Sequence, residues 1–132
     1  MTNLATDFVT TATKQPDATM IAMGGKHLPF GTMHQLAAKL AGELKAAGME
    51  PGDRVALILP NVPAFPVAFY ATLLAGGIVV PMNPLLKSGE IEFFFGNSGA
   101  KIAFVWPDFV DEATKGAANT GTRIITCDPM GP

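Results

Sequence analysis

Charge is scarce in this chain. Asp, Glu, Lys and Arg make up 15% of its 132 residues, against a typical ~25%. The formal net charge is −2, so there is no basic footprint for a nucleic-acid backbone and no nucleic-acid partner is expected. Cysteine is scarcer still. The single Cys127 excludes an internal disulfide framework and is compatible with a reducing compartment. Its simplest role is a small apolar residue on a strand. With only His27 and His34 present, no Ser-His-acid arrangement can be built. No partner stands at metal-ligand spacing from His34, which is expected as a solvated helix residue. The chain also lacks a G-x-G-x-x-G element, a Walker loop and any Cys or His cluster. Gly24-Gly25-Lys26 misses the spacing and the following Ser or Thr of a phosphate loop, and reads as a hairpin turn. Asp108, Asp111 and Glu112 cluster, as acids do at the positive end of a helix. No catalytic, cofactor-binding or metal residue is assigned within the chain.

Long uninterrupted apolar runs are missing too. Residues 55–86 contain no charged side chain, and a membrane span needs only about 20 apolar residues. Yet Pro60, Pro63, Pro66, Pro81 and the pair Gly76-Gly77 would break one helix repeatedly, and lipid cannot satisfy the freed backbone groups. A buried βαβ unit fits the stretch better. Residues 1–7 lack the basic and apolar parts of a signal peptide. A cytoplasmic protein is expected, with a membrane-peripheral one as the alternative.

What is present is oily and punctuated. Hydrophobic residues make up 48% of the chain, and its length suffices for one domain with its own core. Short β-branched runs at 54–59, 78–82, 101–105 and 122–127 alternate with helical segments, the pattern of a parallel sheet. The first two runs lack polar alternation, so both of their faces should be covered.

Between these strands the helices carry their own signals. Thr32-x-x-Gln35 reads as a capping box opening a helix whose stripe is Leu36, Leu40, Leu44 and Ala47, with Gly48 just past its end. Asn61 or Val62 should cap the next helix, with Pro63 in its first turn and Pro66 loosening that turn. Phe65, Ala68, Phe69 and Leu73 form one of its faces. Ser88 should cap a third helix that carries Glu90 near its positive end. Ile91 and Phe95 stack on it, and residues 97–99 stop it. A fourth spans residues 108–118, with Phe109 and Val110 inward. Ahead of all these, residues 19–23 and 27–30 read as a hairpin with Pro29 at an edge or bulge.

The expected architecture is therefore α/β in three layers: a mostly parallel four-stranded sheet, helices on both faces and a small N-terminal hairpin. Residues 1–17 would be a loose lead-in, 18–31 the hairpin and 32–127 the α/β core. In such sheets ligands sit beyond the carboxyl ends of the strands. Asn61 and Asn83 stand there and are the candidate substrate-binding residues. The competing role for each, beside a proline, is a turn or a helix cap.

The segments GDRVALILPNVPAFPVAFYATLLAGGIVVPMNPLL (52–86) and NSGAKIAFV (97–105) resemble the N-terminal part of the adenylate-forming ligases, most of all fatty-acyl-CoA synthetases. The resemblance implies a parent that activates a carboxylate with ATP and Mg²⁺ to an acyl-adenylate and passes the acyl group to coenzyme A. It does not reach the family's reactive motifs, so it implies an N-terminal scaffold piece that is inactive alone. The partners implied are the remainder of the ligase chain, and fatty acid, ATP and CoA in the parent. Ala64 and Leu74 stand where relatives often carry charge, which points to a covered surface and to homo-oligomer formation. A freestanding α/β binding module derived from the same scaffold is the alternative. The length of the parent reading frame discriminates the two.

Overall fold

The computed structural model describes residues 4–23 and 25–127. In chain order these form α1 (Leu4–Lys14), β1 (Thr19–Met23), β2 (Lys26–Pro29), α2 (Phe30–Ala46), β3 (Arg54–Ile58) and α3 (Ala64–Leu74). Then come β4 (Ile78–Pro81), α4 (Ser88–Ser98), β5 (Ile102–Val105), a 3-10 turn (Pro107–Phe109), α5 (Val110–Ala117) and β6 (Arg123–Thr126). The strands β3 to β6 form one parallel sheet in the order β4-β3-β5-β6, and β1 pairs with β2 in a separate antiparallel hairpin. This is the three-layer α/β architecture expected from the β/α alternation.

The two central strands show why their sequences lack alternation. Val55, Leu57 and Leu59 of the first strand segment, with Ile102 and Phe104 of β5, enter one core with Phe8, Leu40, Leu44, Val67 and Ala71. Ala56, Ile58, Ala103 and Val105 point the other way, to a second core with Ile91, Phe95 and Ala113. Thus α1, α2 and α3 cover one face and α4 and α5 the other. Side chains alternate between faces every residue, and both faces are apolar because both are buried.

The hairpin has the expected bulge beside Pro29, with a register shift between Thr19 and Ile21. Gly25 supplies a positive φ of 79° in its turn. Gly24 and residues 128–132, expected as turn and coil, lie outside the described residues, as do residues 1–3 of the lead-in. Most of that lead-in is helical. Phe8 of α1 is 4% exposed and stacks on Tyr70 at 4.2 Å between ring centroids, so an aromatic contact docks the helix on α3.

Helix starts depart from their sequence signals. α2 begins at Phe30, two residues before Thr32, directly from β2 through Pro29, and no side chain caps it. Its buried stripe is Met33, Ala37, Leu40, Ala41 and Leu44; Leu36 and Ala47 are half-buried at its margin. Gly48 follows with φ 93°. His34 is half-buried and meets the Phe8 ring edge-on at 5.8 Å, rather than standing free in solvent. α3 begins at Ala64 after Pro63. Pro66 therefore occupies the third helical position, where a missing N–H costs no intrahelical bond, and the next bond, from the Val67 N–H to the Pro63 carbonyl, is long at 3.4 Å, in keeping with a loosened first turn. The face of α3 turned to the sheet is made of small residues, Ala64, Val67, Ala68, Ala71 and Thr72. The large Phe65, Phe69 and Leu73 are half-buried on its flanks. Ala64 is itself buried, so it does not create exposed apolar surface.

α4 is capped from two sides. Lys87, not Ser88, is its N-cap residue; the Lys87 N–H donates to Glu90 Oε1 at 3.1 Å. The Ser88 N–H donates to Glu112 Oε2 of α5 at 2.8 Å. Asn119 adds a bond to Glu92 of α4 at 2.9 Å. Gly99, at φ 68°, ends α4.

Candidate functional site

The carboxyl ends of β3 and β4 lie side by side because the strands pair in parallel, Arg54 with Ile78 through Leu57 with Pro81. Each strand is stopped by a proline-asparagine region, Pro60-Asn61 and Pro81-Met82-Asn83. Two adjoining hollows open there. One, of about 280 Å³, is lined by Leu59, Pro60, Asn61, Phe65, Met82 and Pro84. The other, of about 170 Å³, is lined by Pro81, Met82, Asn83, Leu86 and Phe94. Met82 belongs to both and is 9% exposed, so it forms the wall between them. The two candidate asparagines thus sit at neighbouring strand ends, one on each hollow.

Their chemistry differs. Asn83 is exposed, and its Oδ1 accepts the Leu85 N–H at 2.9 Å, so its carbonyl serves the turn into α4 and its amide nitrogen remains as a donor. Asn61 is exposed and makes no side-chain hydrogen bond with another described residue. Its amide is a donor and an acceptor on the rim of an apolar hollow. On the neighbouring strand end, the Trp106 N–H donates to the Ile58 carbonyl at 3.0 Å, and its half-buried side chain packs on the first core.

The opposite, amino-terminal end of the sheet carries a polar latch that sequence reasoning missed. Lys101 Nζ donates to the Gly48 carbonyl at 2.9 Å and lies 3.2 Å from Asp53 Oδ2. The same Asp53 oxygen accepts the Glu50 N–H at 2.8 Å. That backbone bond first, and the Lys101 ammonium second, hold the Asp53 carboxyl below the usual carboxylate range. The latch ties the turn after α2 to the start of β5. Its signal in the sequence is only an acid following a Pro-Gly turn, with a lysine 48 residues later, too far for pattern reasoning. The acids at the start of α5 split similarly. Asp108 and Asp111 are exposed. Glu112 is held below its ordinary pKa, chiefly by the Ser88 N–H; it reaches across to α4 through that bond and lies 3.9 Å from Lys115 Nζ on its own helix.

Among the described residues no three His, Cys, Asp or Glu side chains come together as a metal site. The ends of β3 and β4 offer amides, a thioether and prolines, which recognise shape and supply single hydrogen bonds but no charge; an exposed acid, Asp108, follows the end of β5.

Known proteins locate this framework. A family model described as AMP-binding enzyme matches residues 8–130. The chain belongs to the AMP-binding enzyme family. A long-chain-fatty-acid–CoA ligase of Bacillus subtilis is 45% identical over 82 residues, covering 62% of this chain and 15% of that protein. A feruloyl-CoA synthase of an Amycolatopsis species is 34% identical over 113 residues, covering 86% of this chain and 23% of that protein. Among solved structures, a benzoate CoA ligase from Burkholderia xenovorans superimposes with a TM-score of 0.89 at 23% identity, over 100% of this chain and 27% of that one. The N-terminal domain of FACL13 from Mycobacterium tuberculosis does so at 0.85 and 28% identity, over 98% of this chain and 35% of that one. The chain therefore spans 15% to 23% of the length of these curated relatives. Within the AMP-binding fold it supplies the N-terminal four-stranded parallel sheet with its helices.

Proposed function

We propose that this chain is the N-terminal scaffold of an ATP-dependent ligase that joins a fatty acid to coenzyme A, and that it is inactive by itself. The observation that carries the fatty-acid assignment is the 45% identity to a long-chain-fatty-acid–CoA ligase over 82 residues. An aryl acid is the second reading, favoured by the feruloyl-CoA synthase match, which covers more of the chain at lower identity.

The inactivity follows from the chemistry of adenylation. The carboxylate must meet the α-phosphate in line, and the growing negative charge must be offset by cations and oriented donors. ATP, Mg²⁺ and coenzyme A belong to the proposed parent. The described residues do not fit a site for ATP or Mg²⁺: the strand ends carry no basic side chain and no converging acids. What they do supply is a rigid wall. Leu59, Phe65 and Met82 form an apolar surface with Asn61 on its rim, and the buried strands behind hold it in place. The remainder of the ligase chain is then the principal partner, and the cytoplasm the compartment.

The test is ATP–pyrophosphate exchange with a panel of saturated fatty acids and ferulate. It is run on the 132-residue chain and on the full product of the reading frame that contains it. Exchange by the full product with fatty acids, and none by the chain alone, is expected. Ferulate-dependent exchange alone would replace the fatty-acid assignment by the aryl one. Exchange by the chain alone would overturn its inactivity.

A further inference from the structure

We draw no further inference here: the strongest candidate, the exposed apolar patch where Phe93 and Phe94 of α4 adjoin the loop that follows β4, carries nothing because nothing in the structure shows what covers it.

Discussion

Two glycines inside helices should respond to the same substitution with opposite signs. Gly116 lies on α5 where it crosses α4. A Cβ built there falls 2.7 Å from Ile91 Cγ2, 2.8 Å from Ile91 Cβ and 3.0 Å from the Ser88 carbonyl. Ile91 is fully buried, and α4 is tied to α5 through the Glu112 and Asn119 bonds, so neither neighbour yields cheaply. Overpacking of this kind costs roughly 1–3 kcal/mol. Alanine recovers up to about 1 kcal/mol of helix propensity over glycine. Gly116→Ala should therefore be destabilising by about 1–2 kcal/mol net. Gly42, on α2, has nothing within 4 Å of the same Cβ position. Only the propensity gain acts there, so Gly42→Ala should stabilise by about 0.5–1 kcal/mol. Urea unfolding monitored by far-ultraviolet circular dichroism reads both, with a midpoint shift at unchanged slope. If Gly116→Ala were as stabilising as Gly42→Ala, α4 and α5 would not approach as closely as described, and the second core would be wrong in its closest contact.

Other outcomes follow from the same structure. Leu40→Ala, at a residue 7% exposed in the first core, should cost roughly 2–5 kcal/mol in the same unfolding assay; a loss near zero would place α2 off the sheet. Glu112 has a folded-state pKa below its unfolded one, so its contribution is fully present above the usual carboxylate range and is lost as pH falls through the lowered value. The stability difference between the unmodified chain and Glu112→Gln should accordingly be present at pH 7 and vanish in acid; a difference that grows on acidification would reverse the sign and the assignment. Lys101→Met should raise the Asp53 pKa toward its ordinary range, read by carboxyl chemical shifts during titration, because it removes the latch cation; an unmoved Asp53 would mean that the Glu50 N–H acts alone.

The sheet was legible in the sequence because burial on both faces writes itself into composition. Runs such as Val55–Ala–Leu–Ile–Leu admit no polar residue, and turns with glycine or proline bound them on both sides. Helix starts were less legible. Thr32 and Gln35 have the chemistry of a capping box, yet the chain passes from β2 into α2 with no turn between. The strand's own exit geometry starts the helix before the box is reached. At α4 the serine signal at residue 88 pointed to the right turn and the wrong group, because the acceptor comes from Glu112, 24 residues away. Local patterns record what a residue does for its own segment. They do not record what a distant side chain does for it.

The same asymmetry governs the candidate site. Asn61 and Asn83 are candidates because a ligand beyond a parallel sheet would meet the strand ends, and the topology puts both there. Their roles could not be separated from sequence, since an asparagine that binds and one that turns the chain are chemically alike. In the structure their side chains differ by one bond. Asn83 spends its carbonyl on Leu85, whereas Asn61 keeps both functions of its amide at the rim of the larger hollow. If the wall contacts substrate or a later segment of a longer chain, Asn61→Ala should weaken that contact while leaving this chain's stability within about 0.5 kcal/mol, as for an exposed surface change. Asn83→Ala should instead loosen the turn into α4 and show in the unfolding midpoint. Finding the loss of stability at Asn61 and not at Asn83 would invert the two roles, and with them the choice of Asn61 as the residue on which binding is to be sought.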